Sequence, residues 1–481
     1  MRLGPILGFR GATAEQWRVS ILLIGDAGVT AAPTVAVDVG MAGMAVGLGD
    51  VDGSRAWRVE LILPRGRPCT YVVEGRSFAI AVPAVGAPPR VAYVSCNGFS
   101  SKKLAESTRD PFGRWRDLTA QHARQPFALL LMGGDQVYAD QVFDLPALDG
   151  WSERKRADKL RLQWTAPRQA ATARFYQRLY LTRWAQPEMA AAFATIPTLM
   201  MWDDHDIFDG WGSYDEELQR CPVYQGIYGE ARTAFRLFQM HCAPSERVPG
   251  ALTSDDFSWG YQIDGLAVLA PDLRSNRTQD QVAAPAAWNA AYAWVDQLRG
   301  LKHLLLLSSI PVVYPSFKAV EAVLGWMPGE QELEDDLRDH WRTASHQGER
   351  LRLIHRLLAF SRTRTTRVTI LSGDVHVGAC GVLESTRSDN PGVINQLVST
   401  GVVHPPPQAL VAFLLDKLLA GYVDEVDRGI TARMLPFPGT NRKLRPARNW
   451  LSLTGDEQSR LWAEWWFEGD RRPTGKVIHP L

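Results

Sequence analysis

Along the first 88 residues apolar positions alternate with polar ones in short runs: Trp17–Ile24, Thr34–Val39, Arg55–Leu63, Tyr71–Val73 and Ser77–Val82. Turn clusters such as Gly49–Gly53 and Pro64–Gly66 separate them. A two-residue period broken by turns predicts strands with one face buried, and this spacing predicts an antiparallel β-sandwich over residues 1–88. Pro83–Pro89 then reads as a stiff, turn-rich link.

From Arg90 the alternation stops. Continuous apolar runs at Arg90–Ser95, Phe127–Met132, Ile196–Trp202, Leu266–Ala270, His303–Ser308 and Val368–Leu371 predict buried strands. Stretches with helical periodicity lie between them, at 153–164, 170–194, 228–242, 286–300 and 331–362. Buried strands joined by helices predict an α/β layered core over residues 89–436. The loop Phe437–Thr440 opens a last segment, 437–481, in which Trp450–Leu453 and Leu461–Phe467 predict a closing strand pair packed on the core.

Length and composition narrow the picture. With 481 residues the chain is too long for one ordinary hydrophobic core, and 46% hydrophobic with 22% charged residues is globular usage. A net charge of +1, from 53 basic and 52 acidic side chains, gives no long-range attraction to nucleic acid or anionic lipid. Positive charge that holds an anionic substrate must therefore be local. The N-terminus lacks the basic and apolar regions of a leader, so a cytoplasmic protein is expected. The apolar run Met41–Leu48 is too short to span a bilayer, and Ala409–Leu415 is interrupted by Asp416 and Lys417, which predicts a buried or lid helix. Five scattered cysteines without a CxxC pair predict neither a disulfide framework nor a structural zinc site. Cys69, Cys221, Cys242 and Cys380 read as packing.

Four segments carry chemistry, and each follows the end of a predicted strand, where loops converge in such folds. In Gly133–Asp140 (GGDQVYAD) the glycines turn the backbone and expose Asp135 at the strand tip, while Tyr138 turns back toward the same point. A bridging carboxylate beside a phenolate makes a metal platform; a capped loop with a packed tyrosine is the plain alternative. In Trp202–Asp206 (WDDHD) three carboxylates and an imidazole would repel one another without a cation or basic partners. Here Asp204 is the ligand candidate and His205 the general acid, with Asp206 or Asp203 fixing its tautomer. In Ser372–Gly378 (SGDVHVG) Asp374 and His376 stand two residues apart on one face of an extended segment, a spacing that suits ligands to adjacent metals. In Ser95–Asn97 (SCN) a lone Cys96 would be packing, but beside the other three segments it becomes a thiolate ligand. Thiolate, phenolate and imidazole together favour Fe(III), and oxygen ligands at a second position favour Ca²⁺, Mn²⁺ or Mg²⁺.

The order SCN, GGDQVYAD, WDDHD, SGDVHVG resembles the calcineurin-like metallophosphoesterase superfamily, and within it the PhoD-like (alkaline phosphatase D) branch. Pro271–Arg274 is similar to the Asp-x-Arg element of that family, and Gly4–Gly8 to the start of the sandwich that precedes its core. The resemblance implies an αββα core and a binuclear centre, with Cys96, Asp135, Tyr138 and His376 on the first metal. Asp135 would bridge to a second metal completed by Asp204 and Asp374. It implies hydrolysis of small phosphate esters by a metal-bound hydroxide. Arg274, His205 and Asn97 would contact substrate, His205 would act as general acid, and Asp206 would stand behind it. Glu is common in the family where Asp206 stands. The wider superfamily has a histidine where this chain reads Ser308-Ser309-Ile310-Pro311, and no segment matches its closing C-terminal helix. The rival expectations are a non-catalytic binding protein on the same scaffold and a hydrolase of non-phosphate esters. Trp211 and Tyr214, with the insert at 141–195, are where substrate selection is expected.

Overall fold

The computed structural model describes residues 1–314, 341, 345–408, 412, 414, 416–417 and 423–481. The start of the helix expected at 331–362 and most of the run at 409–415 lie outside those residues. The chain forms two compact units. One comprises Met1–Val91, Gly98–Met132 and Gln136–Gly250, the other Ala92–Asn97, Gly133–Asp135 and Ala251–Leu481.

In the first unit, strands Leu129–Gly133, Thr198–Met201, Leu3–Ala12, Gln16–Ile24, Ser54–Pro64 and Met41–Ala42 lie side by side in that order. A separate small sheet holds Val35–Val37, Cys69–Val73 and Arg76–Ile80. The N-terminal strands thus occupy two sheets, but the larger one does not stop at residue 88. Leu3–Ala12 pairs in parallel with Thr198–Met201, and the Thr198 hydroxyl donates to the Leu7 carbonyl at 2.7 Å. That strand is masked in the sequence by Gly4, Pro5, Gly8 and Gly11, yet it buries Leu3, Ile6, Leu7 and Phe9. The periodic segment at 170–194 is two helices, Ala166–Trp184 and Pro187–Phe193. Pro187 suits a first helical position, where no amide donor is needed, so the chain restarts there. Ala166–Trp184 buries Tyr176, Tyr180 and Trp184, and Tyr180 stacks on Phe238 of helix Pro222–Phe238 with ring centroids 4.4 Å apart.

The second unit is built on a mixed sheet. Leu266–Ala270, His303–Leu307, Arg367–Ser372 and Gly392–Val398 run parallel and are almost wholly buried. Antiparallel strands Trp259–Ile263 and Gly378–Ser385 flank them. Helices Pro285–Gln297 and Gln347–Arg364 pack with this sheet in a shared hydrophobic core. Glu349, buried there, accepts the Val282 and Ala283 amides and the Trp288 indole N–H. The C-terminal strand pair is a three-stranded meander, Asn449–Gly455, Leu461–Phe467 and Thr474–Ile478. Mixed sheets with packed helices make this an α/β protein. Among the described residues no helix is long and apolar enough to cross a membrane.

One buried group makes the first unit sensitive to acid. His241 is fully buried, its Nδ1 lies 2.9 Å from the Ser20 hydroxyl, and its Nε2 has no partner among the described residues. Burial, then the charges of Arg10 and Arg58, hold its pKa well below 6.5. The folded state keeps it neutral while the unfolded chain takes up a proton below pH 6.5, so its contribution is complete above that pH and declines below it. Between pH 7 and pH 5 this costs at most about 2 kcal/mol, the bound set by the unfolded imidazole. Urea unfolding at the two pH values should show that loss reduced by a similar amount in His241→Asn. Equal losses in both proteins would mean that the folded state protonates His241 without penalty.

Candidate metal centre

In the second unit the segments around Cys96, Asp135 and Asp374 are tied together through their backbones. Asn97 N–H donates to the Asp135 carbonyl at 2.8 Å, and Cys96 N–H to that of Gly134 at 3.2 Å. Val403 and His404 N–H both reach the Cys96 carbonyl, and Gly373 N–H reaches that of Ser309 at 3.0 Å. A Cβ on Gly373 would lie 2.5 Å from the Ser95 hydroxyl, so only glycine lets the Asp374 turn approach so closely. Cys96, Asp135, Asp374 and His376 all have positive φ, at 54°, 57°, 70° and 52°. Such residues cost of order 1–3 kcal/mol each and persist only where surrounding contacts impose them.

The side chains meet where the backbones do. Cys96 S–H donates to Asp135 Oδ2 at 3.4 Å, and the Thr400 hydroxyl donates to Cys96 Sγ at 2.8 Å. Burial raises the thiol pKa well above its usual value, and the charges of Asp135 and Asp374 add to this. His376 stacks on His404 with ring centroids 3.7 Å apart. Thr400 and His404 were not foreseen; the signal is a further strand end, Gly392–Val398, followed by Ser399–His404. Arg274 is fully buried, on a turn in which Asp272 Oδ1 accepts the Arg274 and Ser275 N–H groups at 2.9 and 3.0 Å. Asn97 is likewise fully buried.

In the first unit Tyr138 stacks on His205, centroids 4.1 Å apart, and Ala139 N–H donates to the His205 carbonyl at 2.9 Å. Gly98 makes room, since a Cβ there would stand 2.2 Å from the Tyr138 ring. Asp204 Oδ2 accepts Gly210 N–H at 2.8 Å. Asp206 or Asp203 was expected at His205 Nδ1, and a third carboxylate stands there. Asp140, the last residue of GGDQVYAD, lies against His205 Nδ1 at 2.9 and 3.0 Å and also accepts Asp209 N–H. Asp206 turns the other way. Its carboxylate accepts N–H groups of Gln136, Val137 and Asp203 and the Gln239 amide, and with Asp203 it forms a capping box on the turn that presents Asp204 and His205. Burial raises its pKa to about 7, partly offset by those backbone donors. The shorter Asp side chain thus serves the backbone behind it. Trp211, expected to line a substrate pocket, is buried between Phe208 and Tyr228 and stacks on Tyr228 at 4.7 Å. Tyr214 donates its hydroxyl to the Asp209 carbonyl.

In the first unit Asp204 and His205 are both buried and offer ligand atoms within 4.8 Å of each other; Asp135 is buried in the second. Nδ1 of His205 is engaged by Asp140. Buried carboxylates, a thiol and imidazoles held on strained backbone form a donor set that fits metal cations, which would neutralise the charge that burial otherwise penalises. His205, expected as a non-ligand, therefore has ligand geometry as well.

A family model described as PhoD related phosphatase matches residues 86–329 and 324–432. An uncharacterized protein of Saccharomyces cerevisiae, YGR266W, is 26% identical over 453 residues, covering 75% of this chain. The chain spans 64% of the length of that relative. The solved structure of PhoD superposes with a TM-score of 0.58 and 13% identity, over 98% of this chain and 88% of its own, a likeness of fold alone.

The different surroundings of Asp206 and Asp140 separate their roles. Asp206→Ala leaves four donors without their acceptor and should cost about 3 kcal/mol or more in urea unfolding. Asp140→Ala, at the partly exposed edge, should cost less than about 1.5 kcal/mol. The reverse order would exchange the two assignments.

Proposed function

The chain belongs to the PhoD related phosphatase family, and on that footing we propose that it is a metal-dependent phosphoesterase acting on small phosphate esters. The observation that carries the reading is the burial of Cys96, Asp135 and Asp374 together on left-handed backbone in the second unit. The αββα layering, the two-metal count and the full ligand set Cys96, Asp135, Tyr138, Asp204, Asp374 and His376 belong to the same proposal, with Fe(III) on the thiolate and phenolate side and Ca²⁺, Mn²⁺ or Mg²⁺ on the other. Bound there, the two cations would supply an activated water and neutralise charge on the phosphoryl oxygens.

The rest falls to side chains. Asp140 keeps the Nδ1 proton of His205 in place, which leaves Nε2 to hold or deliver a proton at the departing ester oxygen. Stacking on Tyr138 fixes the plane of that ring. Arg274 supplies a forked donor for two non-bridging oxygens and Asn97 a neutral one. Metal ligation by Nε2 is the alternative to that proton role, since one lone pair cannot serve both.

Metal analysis, a visible spectrum and turnover of aryl phosphate mono- and diesters test the proposal together. Chelation should abolish turnover and lower the melting midpoint, because metal binds the folded site far better than the open chain. Metal-loaded protein that hydrolyses neither ester would exclude it. A thiolate or phenolate on Fe(III) should give a visible band that Cys96→Ser shifts; a colourless, active protein would remove iron from the assignment. His205→Ala should lower turnover by about 10²–10⁴-fold with metal content intact, and Asp140→Asn by a smaller factor. Loss of metal in His205→Ala would make the imidazole a ligand.

A further inference from the structure

Arg183 lies in the last turn of helix Ala166–Trp184, within the insert at 141–195. Its guanidinium carbon stands 5.3 Å from the Phe99 ring centroid and 5.9 Å from that of Phe112. Among the described residues it makes no ion pair and no side-chain hydrogen bond, unlike Arg168 and Arg178 of the same helix, which pair with Asp149 and Asp52. Phe99 follows Gly98, whose missing side chain leaves room for the Tyr138 ring. The cation is therefore anchored on two aromatic faces beside the loop of the candidate centre.

A guanidinium among aromatic rings loses hydration that two cation–π contacts replace only in part. A carboxylate placed there would neutralise it, and the described residues supply none. Arginine is also the side chain best suited to grip a carboxylate or phosphate through two parallel N–H donors. A net charge of +1 leaves local cations as the means of holding an anionic substrate.

From this placement we infer that Arg183 is a substrate-binding residue that receives an anionic group on the leaving portion of the ester, a carboxylate or a second phosphate. The inference rests on the phosphoesterase reading of the neighbouring site. It favours substrates with a charged leaving group over neutral aryl esters.

The test compares an aryl phosphate ester with its carboxylate-bearing analogue, using metal-loaded wild type, Arg183→Met and Arg183→Lys. Arg183→Met should raise KM for the charged ester about tenfold, with less than a threefold change for the neutral one and kcat and metal content preserved. Arg183→Lys, which keeps the charge but not the fork, should fall between them. Equal effects on the two esters, or no effect on either, would overturn the inference. Calorimetric binding of the matching non-hydrolysable phosphonates reads the same contact without turnover. A wild type that binds the charged phosphonate at least tenfold more tightly than Arg183→Met, yet hydrolyses no ester, would overturn the catalytic proposal and leave the anion site standing. Hydrolysis with equal phosphonate affinities in the two proteins would do the opposite.

Discussion

The constraint that governs this molecule is the burial of negative charge. Cys96, Asp135 and Asp374 are brought together away from water on backbone that L-residues avoid, where burial and the two carboxylates raise the cost of ionising the thiol. Folding forces alone would not assemble such a group. The parallel strands of the second unit, nearly all apolar, provide the rigid support against which the loops can hold it. Short backbone hydrogen bonds between the loops then fix them to one another before any side chain is considered.

The acidic residues divide according to what faces them. Asp206 meets four donors and a tyrosine-lined interior, so it works for the fold. Asp140, nearer solvent, meets one imidazole nitrogen and one backbone amide. Asp272 does for the Arg274 turn what Asp206 does for the His205 turn, accepting N–H groups so that a functional side chain projects from a closed loop. Identical carboxylates therefore acquire separate tasks through the number and kind of N–H groups around them.

Much of this was legible from residue order. Apolar runs gave the central strands within a residue or two, because strands buried on both faces leave an unbroken signal. Each of the four motifs follows the end of a strand, as its apolar prelude implied. The parallel pairing of Leu3–Ala12 with Thr198–Met201 was not legible, since its glycines and proline read as turns and its partner lies some two hundred residues away. Nor was the exchange of Asp206 for Asp140, which is set by the direction in which a tight turn points its side chains. Thr400 and His404 stood in a plain loop whose importance comes from pairing with Cys96, three hundred residues earlier.

The left-handed backbone at positions 96, 135, 374 and 376 has an evolutionary consequence. A branched side chain such as valine or isoleucine would be rejected there by torsional strain, whatever its chemistry, while asparagine, aspartate and glycine would be tolerated. Drift at these sites is thus confined to a narrow alphabet that still includes oxygen donors. A descendant that lost its activity would keep the outline of the old centre for a long time, and could regain a ligand by a single nucleotide change.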